Sequence, residues 1–239
     1  MTTKKTRVWA IAALVTVVTG LSACLKTDNV TPQRDRAAVA IVNGILSSSD
    51  LDFYDNTTKV NQSSPLTIGF AYIGYPIFAG IRTFSFKKVG ATADFAATTA
   101  RYDSLNYYTL VAYGDSTAPE MTSIKDDFSA AKETAVNIRF FHLSPDAGPV
   151  DLYIDDVKVD SNRTYVGQSG FRTAFNPLTK SVYTNNIKVK AAGTSTVLTE
   201  NSSPNASFSS GRVYTITLIG SKDFTDKKKL TVNSLYSLY

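Results

Sequence analysis

His142, Ser144, Asp146 and Asp151 crowd into one short stretch, Phe141-His142-Leu143-Ser144-Pro145-Asp146-Ala147-Gly148-Pro149-Val150-Asp151. A histidine base, a serine hydroxyl and a carboxylate to orient the imidazole are the parts of an acyl-transfer nucleophile. The same residues have a plainer reading. Ser and Asp side chains satisfy backbone groups in turns, and each proline fixes its own φ. A Gly-x-Ser-x-Gly elbow, which would thrust a serine out of the backbone, occurs nowhere in the chain. We therefore expect a built loop and assign no catalytic residue. With one His and one Cys, His- and Cys-based metal sites are excluded. The Asp126-Asp127 and Asp155-Asp156 pairs lack the alternating acids of a calcium loop. Asp155-Asp156 reads instead as a hairpin turn. No metal and no cofactor are expected.

Aromatics are the second candidate chemistry. Phe70-Ala71-Tyr72-Ile73-Gly74-Tyr75-Pro76-Ile77-Phe78 sets four rings beside Gly and Pro. Tyr72, Tyr75 and Phe78 displayed at a surface could stack on sugar rings or anchor a protein partner. Packed inward, they would fill a core or a seam between domains.

The elements that must position these residues are strands. Beyond the first two dozen residues no segment sustains an i, i+3, i+4 apolar pattern over three turns. Short β-branched and aromatic runs recur instead at 39–42, 51–54, 81–86, 107–113, 136–141, 150–154, 186–190, 213–219 and 230–235, parted by turn residues. Four sequence echoes appear in the same order in both halves. Ala38-Val39-Ala40-Ile41 answers Ala135-Val136-Asn137-Ile138, and Asp52-Phe53-Tyr54 answers Asp151-Leu152-Tyr153. Tyr72-Ile73-Gly74 answers Tyr165-Val166-Gly167, and Tyr108-Thr109 through Gly114 answers Tyr214-Thr215 through Gly220. The offsets are 97, 99, 93 and 106 residues. The expected fold is all-β: two tandem antiparallel immunoglobulin-like β-sandwich domains, 37–132 and 133–239. Asp52 and Asp151 are expected at strand entrances, accepting N–H groups of the preceding turn.

Ahead of them, Lys4, Lys5 and Arg7 precede a mostly apolar run over 8–21, too short to cross a bilayer core as a helix and shaped like a secretory signal. It ends in Leu21-Ser22-Ala23-Cys24, which resembles a bacterial lipobox and contains the only cysteine. That resemblance implies a signal peptide at 1–23, lipidation of Cys24 and a polar tether over 24–36. Two acyl chains hold a protein on a membrane where one is marginal. Leu25-Lys26-Thr27-Asp28 partly resembles the export signal of Bacteroidota surface lipoproteins, implying the outer membrane or cell surface, with the periplasmic face as the other option. Without the three leader cations the formal charge of +5 falls to 22 basic against 20 acidic residues, which gives no electrostatic case for nucleic acid.

The run from Val136 to Ile154, with His142, Ser144, Pro145, Asp146, Asp151 and Tyr153 as its motif positions, resembles the family called domain of unknown function 4397. The first half keeps the strands but has neither the His nor the Pro in its loop. The resemblance implies tandem β-sandwich modules on secreted or surface proteins. We expect a non-catalytic, lipid-anchored envelope protein in adhesion, scaffolding or ligand binding. The alternatives are a glycan- or peptide-binding accessory subunit of an uptake system and, third, a hydrolase using His142 and Ser144. The membrane is one partner, a glycan or surface protein the other; the oligomeric state stays open.

Overall fold

Alternation along the strands builds two layers per half of the chain. The computed structural model describes residues 36–47, 49–178, 186–203 and 207–237, omitting the side chains of the last two. The leader, the motif Leu21, Ser22, Ala23 and Cys24, and most of the tether lie outside the described residues.

The first half supplies β1 (Arg36–Asn43), β2 (Leu51–Asp55), β3 (Thr58–Lys59), β4 (Ala71–Phe78), β5 (Gly80–Lys88), β6 (Ala96–Tyr102), β7 (Tyr107–Tyr113) and β8 (Glu120–Lys125). The second supplies β9 (Asn137–His142), β10 (Val150–Ile154), β11 (Val157–Arg163), β12 (Asn176–Pro177), β13 (Ile187–Ala191), β14 (Val197–Asn201), β15 (Val213–Ile219) and β16 (Thr231–Ser237). One helical turn, Val166–Ser169, precedes β12. The sheets have the orders β4-β1-β7-β8 and β3-β2-β5-β6, then β12-β9-β15-β16 and β11-β10-β13-β14. The described chain is thus two tandem β-sandwiches with the same strand order. Pairing between these strands is antiparallel except for β1 with β7 and β9 with β15, which run parallel.

These registers settle the internal alignment. Val39 lies opposite Tyr108, and Ile138 lies opposite Tyr214. With Tyr108 and Tyr214 equivalent, Val39 matches Ile138 rather than Val136. The first echo therefore moves from an offset of 97 to one of 99, the offset that also relates Asp52 to Asp151. The Tyr-Val-Gly echo fails altogether. Tyr72-Ile73-Gly74 is in β4, paired with β1, whereas Tyr165-Val166-Gly167 leads into the helical turn.

Each sandwich closes over its own core. In the first, Val39, Ile41 and Leu110 of one sheet meet Phe53, Phe84 and Phe86 of the other. In the second, Ile138, Phe140 and Ile216 meet Leu152, Ile154 and Val189. A third core joins the two sandwiches: Val42, Val111 and Tyr113 pack with Phe141, Leu143 and Ile219. The sheets holding β1 and β9 are therefore covered on both faces. That is why β1, β7, β9 and β15 are buried along nearly their whole length, and why β1, β7 and β15 are mostly apolar on both faces.

Inside this seam lies a charged group. Arg139, on β9, has a fully buried side chain and is paired with Asp126 at 2.7 Å. Its Nε donates to Thr215 Oγ1 and its Nη2 to Thr109 Oγ1, while Thr109 in turn donates to Asp126. Phe141 and Phe175 take the guanidinium faces at 4.8 and 4.3 Å. Strands of both sandwiches thus converge on one cation whose hydrogen bonds are met, the condition under which a buried pair is tolerated.

Two turns bear out the strand reading. Asp155 and Asp156 take φ of 49° and 66° between β10 and β11, a two-residue hairpin with both residues left-handed. Gly114 and Gly220 close β7 and β15 with φ of 93° and 84°. A Cβ at either would lie 2.3 or 2.2 Å from a backbone oxygen, so only glycine fits.

Candidate functional site

The motif loop is a buried scaffold. His142 ends β9 with no exposed surface. Its Nε2–H donates to Gly148 O at 2.8 Å, and its Nδ1 accepts the Ser144 backbone N–H at 3.3 Å. This network assigns the neutral tautomer. Burial pushes the His142 pKa down, which keeps the ring uncharged. Ser144 and His142 therefore meet through a backbone amide. The Ser144 hydroxyl donates to Asp146 at 3.0 Å, and Asp146 also accepts from Ser221 Oγ at 2.6 Å and from the Lys222 N–H. The Asp146 carboxylate thus ties the loop after β9 to the loop after β15.

Asp151 points elsewhere. It pairs with Lys158 at 2.7 Å and accepts the N–H groups of Asn162 and Gly193. The Lys158 hydrogen bond, followed by the backbone donors, lowers its pKa to about 2. Its donors come from β11 and from the turn after β13, not from the turn that precedes it, because β10 is a central strand with neighbours on both sides. Asp52 repeats the arrangement, pairing with Lys59 at 2.8 Å and accepting from Asn61 Nδ2 at 3.1 Å. Lys59 and Lys158 share the offset of Asp52 and Asp151. Tyr153, beside Asp151, is half-buried, with Lys190 Nζ 4.2 Å from its ring centroid. Pro145 stands in the turn itself.

The first sandwich shows what the histidine does. By register Asn43 occupies its place. Asn43 Oδ1 accepts the Ile45 N–H at 3.2 Å, and Nδ2 donates to Thr67 O at 3.0 Å. Accepting the N–H two residues on while donating to a carbonyl is the His142 pattern in amide form. An amide cannot serve as a general base, so what the two positions share is loop architecture. The sequence hid this replacement, because the misplaced echo aligned Asn43 with Phe140.

The aromatic segment builds the candidate site. Its strand, β4, is an edge strand beside β1. Tyr72 and Tyr75 are three residues apart, and in a regular strand they would face opposite ways. A bulge changes that: Val39 pairs with Tyr75 and Ile41 with Tyr72, so β4 carries an extra residue over that span. Gly74, at φ 79°, lies within the extra length. Both tyrosines then line one cleft of about 450 Å³ at the open edge between the sheets. Ile41, Phe53 and Leu66 form its buried floor, Phe70 a further wall, and Gln62, Ser63 and Ser64 its polar rim. The two rings meet edge to face with centroids 6.5 Å apart. Tyr72 is 45% exposed, and Tyr75 donates to Asp55, which Arg82 holds at 2.7 Å. Burial raises the Tyr75 pKa, and Asp55 adds to the rise. Phe78 is 40% exposed but lies outside the cleft, under the Arg36 guanidinium at 5.0 Å. Ile77 goes to the first core and Ile73 to the seam. The segment therefore serves core, seam and surface together.

Among the described residues, no three His, Cys, Asp or Glu side chains gather as a metal site. None of the curated proteins matches this chain. Residues 37–153, the whole first sandwich followed by β9, the motif loop and most of β10, match the family model described as "Domain of unknown function (DUF4397)".

Proposed function

We propose that this chain is a non-catalytic, lipid-anchored protein of the bacterial cell envelope, held at the outer membrane or cell surface through Cys24, whose first sandwich captures a glycan. The observation that carries the reading is the bulge that turns Tyr72 and Tyr75 into one cleft. Aromatic faces above an apolar floor suit the C–H faces of sugar rings, and a rim of amide and hydroxyl groups suits their hydroxyls. Anchoring follows from the lipobox residues and the two-chain arithmetic of membrane attachment. The motif loop adds to the non-catalytic reading, since both His142 nitrogens are engaged by loop backbone.

Binding to a glycan array, lost in Tyr72→Ala with the fold intact by circular dichroism, is the expected result. An array without signal, or equal binding by Tyr72→Ala, would overturn the glycan reading. Fractionation of the native host with Cys24→Ser tests the anchor: release from the membrane is expected, and retention rejects it.

A further inference from the structure

The second sandwich has a cleft at the equivalent place, of about 250 Å³, between β9, β11 and residues 172–176. Phe140, Val159 and Asp160 line it where Ile41, Val60 and Asn61 line the first. Its chemistry is different. Arg139, Arg163 and Arg172 lie around it with one carboxylate, Asp160. The charge of Arg139 is already met by Asp126. Arg163 has a side chain only 8% exposed and pairs through Nη2 with Asp160, yet its buried Nε–H has no acceptor. Arg172 is exposed and, among the described residues, has neither an ion pair nor a hydrogen bond. Arg163 and Arg172 against Asp160 leave one positive charge.

We propose that this cleft binds the carboxylate of a monosaccharide-sized acid, a uronate, through Arg163 and Arg172. The single surplus charge matches one carboxylate rather than a dianion. Its volume, roughly eight waters' worth at about 30 Å³ each, admits one sugar ring, and Phe140 and Val159 offer it an apolar side. The Arg163 Nε–H is shielded from solvent. It is engaged when the guanidinium turns from Asp160 and the incoming carboxylate takes the place of the Asp160 carboxylate, a fork-to-fork exchange for which arginine is suited.

The test is calorimetric titration of the full chain with sodium glucuronate, glucose and sodium sulfate. Glucuronate should bind and glucose should not. Arg172→Gln, at an exposed position, should weaken binding about tenfold, as expected for one lost charge-assisted hydrogen bond. Asp160→Asn, which removes the competing carboxylate, should tighten it. Tyr72→Ala should leave it unchanged, separating this site from the aromatic cleft. No heat with glucuronate, equal binding of glucose or sulfate, an unaltered Arg172→Gln, or a loss in Tyr72→Ala would each overturn the assignment.

Discussion

Where the first sandwich carries Asn43, the second carries His142; where one cleft presents Tyr72 and Tyr75, the other presents Arg163 and Arg172. Strand order, the parallel central pair, the Lys–Asp bridge on the second strand and the strand-closing glycine are common to both sandwiches. The common parts are backbone solutions. A central strand needs its loop amides satisfied, and an imidazole or a carboxamide can do that. The differing parts lie at the open edge between the sheets, where β4 has eight residues and β12 has two. A long edge strand carries a bulge and aromatic side chains. A short one leaves the wall to residues 172–176. Duplication preserved what holds each sandwich shut and released what lines its mouth.

Breaking the seam should have the largest effect. Arg139→Ala leaves the buried Asp126 carboxylate without its cation, with the Thr109 hydroxyl still donating to it, and should cost about 3–5 kcal/mol, read as a lower urea midpoint. Because Ala40 stands at the equivalent place in the first sandwich, Ala40→Val, which adds bulk on the same seam without touching a charge, should cost about 1–3 kcal/mol.

The His–Asn exchange sharpens the comparison next. His142→Ala leaves Gly148 O and the Ser144 N–H unmet beside a cavity and should cost about 2–4 kcal/mol. His142→Asn, borrowing the first sandwich's solution, should recover a large part of that loss. The pH dependence separates them further. The folded-state pKa of His142 is depressed by burial, so below the unfolded value of about 6.5 the unfolded chain takes up the proton first. Stability should therefore fall as pH drops from about 6.5 toward the folded pKa, and the His142→Asn variant should lack that slope.

Asp151→Asn should cost about 1–3 kcal/mol near neutrality, because one of the two buried carboxylate oxygens that accept the Asn162 and Gly193 N–H groups becomes an amide donor. With a folded pKa of about 2, the Asp151 contribution is present above the unfolded value of about 3.9 and is lost as pH falls toward 2. The variant should show a shallower acid-unfolding limb.

The smallest change in stability, about 1 kcal/mol, is expected for Gly74→Ala, which puts a Cβ at positive φ. Its effect on the aromatic cleft should be much greater than its effect on folding, since the bulge is what places both tyrosines on one side. Glycan binding measured alongside the melting temperature checks this.

Runs of β-branched and aromatic residues made the principal strands legible, because β1, β7 and β15 are mostly apolar on both faces and β9 carries Ile138, Phe140 and Phe141. That pattern missed β6, where burial does alternate but the inward positions Ala96, Thr98 and Ala100 are small or polar, so the hydrophobic signal is weak until Tyr102. The duplication was also readable, because the Asp–Tyr and Tyr–Thr strands kept their residue types. Register was not. Hydrogen-bond pairing across the sheet fixes it, so the tertiary structure chose between the offsets of 97 and 99, aligned Asn43 with His142 and dissolved the Tyr-Val-Gly echo. Arg139 looked like any strand residue. Its burial depends on two sheets stacking back to back, a fact that no local window of sequence contains. Local propensity determined which residues became strands; long-range pairing and packing decided which side chains share a cleft, because contacts between residues far apart in the chain exist only once the layers have assembled.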